Sequence, residues 1–77
     1  CINGDFYGIE VKAPNGRVST LQLMNLNKIN NAGGYAILLY PKDFENFKKL
    51  IHGDKSVYAE LKTRWLSKWE QLQILQR

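Results

Sequence analysis

The sequence predicts a small α/β domain whose elements follow the order strand, strand, helix, strand, helix, helix. Three observations carry this prediction. A segment rich in aromatic and β-branched residues follows an Asn-Gly turn, a short apolar run lies between glycines and a proline, and three further segments have helical apolar spacing. With 77 residues and no internal repeat, we expect one domain over residues 1–77.

The N-terminal elements are predicted from turn chemistry. Asn3-Gly4 favours a two-residue hairpin turn, because both positions of a type I′ turn need positive φ. Asp5 to Lys12 then forms the outgoing strand until Pro14-Asn15-Gly16 breaks it. The incoming arm, Cys1 and Ile2, is cut to two residues, so we expect sequence before Cys1 to belong to the same fold.

The middle of the chain predicts a helix and a buried strand. Ser19 and Gln22 form an S-x-x-Q capping box that opens the helix, and Gly33-Gly34 ends it. The apolar run Tyr35 to Tyr40 lacks alternation, which is typical of a strand covered on both faces.

Two helices follow. Apolar spacing predicts a short helix from about Asp43 to His52, and Asp54 or Ser56 can cap a long helix that reaches nearly to Arg77. Trp65 and Trp69 lie one turn apart on its apolar face, and two interpretations stay open: core residues, or the anchor of a subunit interface.

Composition limits the classes of function. The 44% hydrophobic content excludes disorder, and the longest apolar run is too short to cross a bilayer. One cysteine excludes an internal disulfide and a zinc cluster. A free thiol is typical of a reducing compartment, so we expect a cytoplasmic protein. A core this small without a disulfide or a metal also predicts stabilisation by another chain. The net charge of +4 is modest, and it comes with a basic second half in which Lys42, Lys48, Lys49, Lys55, Lys62, Arg64 and Lys68 lie.

The predicted first strand holds the most informative pattern. Side chains alternate across a strand, so Glu10 and Lys12 share one face while Asp5 faces the other way. A carboxylate and an ammonium placed in this way can bind a divalent cation and a phosphate. The alternative is a solvated ion pair on the polar face of an amphipathic strand.

The segment GIEVKAPNGRVSTLQ, followed by a helix, Gly-Gly and an apolar strand, resembles the PD-(D/E)XK nucleases. More narrowly, it is similar to their virus-type replication–repair branch (VRR-NUC), many of whose members are phage proteins. The resemblance covers about residues 1–47 and implies a restriction-endonuclease-like core of β-hairpin, helix, β-strand and helix. The long C-terminal helix, residues 56–77, matches nothing in it.

The resemblance implies specific roles. Glu10 and Lys12 match the catalytic pair, and Gln22 matches an active-site glutamine, although S-x-x-Q alone favours a helix cap. Glu10 and the backbone carbonyl of Val11 would hold Mg²⁺ or Mn²⁺. The family's metal-binding aspartate, on the strand before the hairpin, is absent, and Asp5 is a weak candidate to replace it because it faces away.

The resemblance implies a Mg²⁺-dependent endonuclease that cuts duplex or branched DNA such as Holliday junctions, as a homodimer in the cytoplasm (the host cytoplasm for a phage protein). Two other functions stay open: a non-catalytic DNA-binding module, and an interaction domain that docks through Trp65 and Trp69. For contact with DNA we predict a further set of residues, with ordinary solvated side chains as the alternative: Arg17, Ser19, Lys42, Lys48 and Lys49.

Overall fold

The computed structural model describes residues 1–75 and contains two parallel strands and three α-helices. One-turn 3₁₀ segments, Pro41–Asp43 and Lys55–Val57, lead into the second and third helices. The end of the predicted last helix, residues 76–77, lies outside the described residues. The elements are β1 (Tyr7–Val11), α1 (Thr20–Asn31), β2 (Tyr35–Leu39), α2 (Phe44–Ile51) and α3 (Tyr58–Leu75).

The N-terminal turn forms as predicted. Asn3 and Gly4 have φ values of 52° and 83°, and Ile2 and Asp5 exchange backbone hydrogen bonds of 2.8 and 2.9 Å. The predicted incoming strand is reduced to this single antiparallel bridge. The outgoing strand, predicted over residues 5–12, is shorter, because pairing with β2 in register extends from Tyr7–Tyr35 to Val11–Leu39.

The strand β2 is packed on both faces, as its apolar run predicted. Ala36 and Leu38 contact a cluster formed by α1 and α3, whereas Ile37 and Leu39 pack against Leu50 of α2 and Leu61 of α3, on the other face. Residues 36–38 are fully buried. Two strands alone cannot form a stable sheet in water, so the helices supply most of the burial.

A glycine lets α1 approach β1 closely. A Cβ atom at Gly8 would overlap Cδ1 of Ile29 on α1. Ile29 is in the last turn of α1, so this contact holds the end of the helix against β1. The first turn, through Gln22, lies beside Glu10 and Lys12 at the carboxyl end of the strand.

The long helix α3 satisfies backbone groups at the outer edge of β2. The indole Nε1 of Trp65 donates to the carbonyl of Ala36 at 2.9 Å, and the N–H of Ala36 donates to the hydroxyl of Tyr58 at 2.9 Å. That hydroxyl donates in turn to Asn30 Oδ1 at 3.0 Å, and burial raises the pKa of Tyr58, which keeps the hydroxyl protonated.

Of the two interpretations of the tryptophan pair, the core interpretation is correct for Trp65, which has no exposed surface. Trp69 is half-buried and packs against the same cluster. The interaction domain predicted as an alternative therefore cannot use Trp65 as a docking anchor.

Within residues 1–75, none of the helices combines the length and the apolar character that a membrane span requires.

We predict that Trp65→Phe lowers the free energy of unfolding by about 2–3 kcal/mol, because it leaves a void and deprives a buried carbonyl of its main partner. Trp69→Phe, at a half-buried position where no such bond is made, is the matched control and should cost less than about 1 kcal/mol. Urea unfolding followed by far-UV circular dichroism measures both values. Equal losses in the two variants would contradict the role given to the indole N–H.

Candidate functional site

The candidate site lies where the carboxyl end of β1 meets the first turn of α1. Glu10 is on β1, Lys12 follows the end of that strand, and Gln22 is in the first turn of α1. All three side chains are half-buried. The structure thus brings together the three residues that the resemblance implied as catalytic.

The Gln22 amide links the two charged groups. Its Nε2 donates to Oε1 of Glu10 at 2.9 Å, and its Oε1 accepts from Nζ of Lys12 at 2.8 Å. The same Oε1 also accepts from the backbone N–H of Ser19 at 3.0 Å. With two donors on its oxygen and a carboxylate on its nitrogen, the amide has one favourable orientation.

Gln22 belongs both to the N-terminal cap of α1 and to the candidate site. Ser19 and Gln22 form the complete capping box, with Gln22 N–H donating to the Ser19 hydroxyl at 3.1 Å. The two interpretations of S-x-x-Q are therefore compatible. Ser19 is the helix cap, as its sequence position predicted.

This arrangement holds a negative and a positive group side by side without pairing them directly. Among residues 1–75, the hydrogen bond from Gln22 is the one made to the Glu10 carboxylate, so Oε2 can accept another ligand. The Lys12 ammonium uses one of its three N–H donors in the hydrogen bond to Gln22, and the other two can bind another acceptor. Such a pair can bind a cation at the carboxylate and an anionic oxygen at the ammonium.

Asp5 does not join this network. Its carboxylate accepts from Nζ of Lys55 at 2.6 Å, and Lys55 also lies 3.3 Å from the Tyr7 hydroxyl and 4.5 Å from the ring centre of Tyr35. The hydrogen bond that Lys55 donates to Asp5 raises the pKa of Lys55. Nothing in these contacts supports Asp5 as a metal ligand, in agreement with the parity argument.

The donor set for a metal ion is small. In the part of the chain that the structure describes, no three His, Cys, Asp or Glu side chains gather into a metal-binding group. Lys12 N–H donates to Leu39 O and Tyr35 N–H to Phe6 O, so alternation turns the Val11 carbonyl to the unpaired edge of β1. The Glu10 carboxylate and this carbonyl are hard oxygen ligands that suit a largely hydrated Mg²⁺, but they are only two.

A second concave surface, which we call the basic cleft, lies at the carboxyl ends of both strands. It has a volume of about 470 Å³, and a neighbouring recess adds Arg17 and Val18 to its wall. Of the residues predicted to contact DNA, Arg17 and Lys42 lie here, whereas Lys48 lies beside an apolar groove of α2 and Lys49 lines neither surface. The cleft is lined by Pro14, Asn15, Gly16, Tyr40, Lys42, Thr63, Arg64, Ser67 and Lys68.

One arginine of the basic cleft is fixed by a buried acid. Asp43 is only 3% exposed, and both of its oxygens accept from Arg64, at 3.0 Å from Nε and 2.9 Å from Nη2. This bond raises the pKa of Arg64. Asp43 begins the second predicted helix, but its side chain makes no cap bond because it is committed to α3 instead.

The sequence placed Arg64 and Lys68 of α3 in a basic second half suited to a DNA backbone, but it did not group them with Thr63 and Ser67 as one surface. Arg64 and Lys68 are one helical turn apart, and Thr63 and Ser67 repeat the same spacing beside them. This pattern of paired basic and hydroxyl residues is a signal that could have been used. The spacing alone did not indicate that this face of α3 would lie beside the carboxyl ends of the two strands.

Comparison with models of known protein families, with curated proteins and with solved structures produced no match to this chain. The resemblance to the VRR-NUC nucleases therefore depends on the residues quoted for it, and the family assignment stays a prediction.

We predict that Glu10 and Gln22 are energetically coupled. In a double-mutant cycle with Glu10→Ala and Gln22→Ala, the coupling energy should be about 0.5–1.5 kcal/mol, as expected for one intramolecular hydrogen bond between half-buried side chains. The unfolding free energies of the two single variants and the double variant give this value. The matched cycle pairs Gln22 with Glu70, a carboxylate on α3 with no described contact to Gln22, and should give none. Additive effects for Glu10 and Gln22 would contradict the network.

Proposed function

We propose that this chain is the DNA-cutting part of a metal-dependent endonuclease that hydrolyses phosphodiesters in branched or duplex DNA. One observation carries the proposal: Gln22 holds Glu10 and Lys12 beside each other on one face of the sheet, which is the constellation that the E-x-K pattern requires. The part of the chain that resembles the nuclease family is also the part that builds this constellation.

Each side chain has a role that follows from its chemistry. Glu10, with the Val11 carbonyl, would hold Mg²⁺ or Mn²⁺, an ion that supplies a polarised phosphate oxygen and an acidified water when bound. Lys12 donates to the phosphate and stabilises the negative charge that builds on it during attack. Gln22 positions both groups and keeps the ammonium from pairing directly with the carboxylate.

The proposal requires a further ligand from outside these residues. A second acid supplied by more of the same polypeptide or by another copy would complete the donor set, and a homodimer would place two sites against two symmetry-related strands of a junction. We accordingly propose that assembly and activity are linked in this protein.

A second candidate function is favoured by the small donor set. In residues 1–75 no group of three acidic, histidine or cysteine side chains forms, so the chain could bind DNA without cutting it. In that case Glu10 and Lys12 would stabilise the first turn of α1 through their hydrogen bonds to Gln22. The cationic residues alone would contact phosphates.

The test is cleavage of a labelled four-way junction by the 77-residue protein in Mg²⁺ and in Mn²⁺, with EDTA as the metal-free control. If the nuclease proposal is correct, Glu10→Gln and Lys12→Met each lower the cleavage rate about 10²-fold or more while leaving junction binding within about threefold. Glu70→Gln is the control for loss of a carboxylate, since Glu70 is exposed on α3.

Three outcomes separate the candidates. Cleavage that survives Glu10→Gln overturns the catalytic assignment. Binding without any cleavage in either metal rejects a nuclease whose site is completed by copies of this chain, and it supports the binding module. Absence of binding at low salt rejects both.

A further inference from the structure

We infer that the basic cleft is a binding site for the phosphate groups of a nucleic-acid strand, and that α3 contributes directly to DNA contact. This inference rests on the proposed DNA substrate and extends it, because it gives a role to the helix that the family resemblance left without one. Four observations of the described residues carry it.

The first is the charge of the cleft. None of the residues that line it is acidic, and within residues 1–75 neither Lys42 nor Lys68 forms an ion pair. Arg64 is paired with Asp43 and lies 3.9 Å from the exposed Glu60, so it contributes shape and hydrogen-bond donors rather than net positive charge. Arg17, exposed in the neighbouring recess, is a third cation without an ion pair among the described residues. Cations that are not paired with acids attract phosphates.

The second observation is the fixed position of the arginine. Asp43 engages Nε and Nη2 of Arg64, so Nη1 keeps both of its protons for another acceptor. The Arg64 side chain is 28% exposed and lines the cleft, so a ligand in the cleft can contact it. A buried carboxylate that orients an arginine reduces the entropy lost when the arginine binds.

The third observation favours an anionic ligand over a neutral one. The hydroxyls of Thr63 and Ser67 donate to carbonyls of α3, at 2.6 Å to Glu60 O and 3.2 Å to Thr63 O. Their protons are therefore engaged, and the side chains that can still donate in the cleft are mostly cationic: Lys42, Lys68 and Arg64, with Asn15 as a neutral amide. A polyanion matches this set better than an uncharged molecule does.

The fourth observation is the position of the cleft beside the candidate site. Gly16 separates the two: a methyl group at Gly16 would lie 3.2 Å from Cβ of Lys12, and the Gly16 carbonyl accepts from the Tyr40 hydroxyl at 3.1 Å. Tyr40 lines the cleft. A strand whose phosphates occupy the cleft can thus continue across Gly16 to Glu10 and Lys12. Both surfaces lie at the carboxyl ends of parallel strands, where open α/β sheets bind ligands.

The test measures binding of a fluorescent DNA duplex by anisotropy over a series of salt concentrations. Lys42→Gln and Lys68→Gln should each weaken binding about three- to tenfold at low salt and reduce the slope of log K against log salt by about one. Lys62→Gln, on α3 but with its Nζ over the Tyr58 ring, removes the same charge outside the cleft and should leave the slope unchanged. In parallel, titration with pyrophosphate should shift the amide NMR signals of Gly16, Arg17 and Lys68.

The outcomes distinguish this inference from the proposed nuclease. Slopes for Lys42→Gln and Lys68→Gln equal to that of Lys62→Gln would overturn the inference, even if Glu10-dependent cleavage is observed. Reduced slopes in the absence of any cleavage would support the cleft while rejecting a nuclease whose site is completed by copies of this chain. Absence of DNA binding by the wild-type protein at low salt would overturn both.

Discussion

The fold depends on the hydrogen bonds between α3 and the outer edge of β2. A parallel pair of strands leaves one edge of each strand without backbone partners, and a buried unpaired carbonyl costs about 1–3 kcal/mol. Trp65 and Tyr58 satisfy both backbone groups of Ala36, and Leu61 between them packs on the other face of the sheet. This contact determines the rotation of α3 about its own axis. Arg64 and Lys68 then lie beside the carboxyl ends of the strands, and the basic cleft follows from the same contact.

Local signals in the sequence were enough to predict the elements. The Asn3-Gly4 turn, the Ser19 cap and the unbroken apolar run of β2 are each decided within a few residues, and all three are present. The limits of β1 were not decided locally. A strand ends where its partner ends, so β1 follows the five residues of β2 rather than its own composition.

Contacts between residues far apart in the sequence could not be predicted from these local signals. Asp43 begins a predicted helix, yet its carboxylate lies against Arg64, 21 positions along the chain. Parity placed Glu10 and Lys12 on one face, but only the docking of α1 against β1 brings Gln22 between them. Helix docking of this kind depends on packing across the whole domain, which periodicity does not describe.

In this small domain, the same side chain, Gln22, serves both the stability of a helix and the geometry of the candidate site. One amide completes the cap of α1, accepts from Lys12 and donates to Glu10, so its orientation is set by three partners at once. A side chain held in this way cannot rotate to follow a substrate, and it keeps the ammonium and the carboxylate apart at almost no entropic cost on binding. Under the proposed function, the same rigidity means that recognition must come from elsewhere. The exposed lysines of the basic cleft, whose side chains have no ion-pair partner among residues 1–75, would then adapt to a phosphate backbone while the candidate site beside them stays fixed.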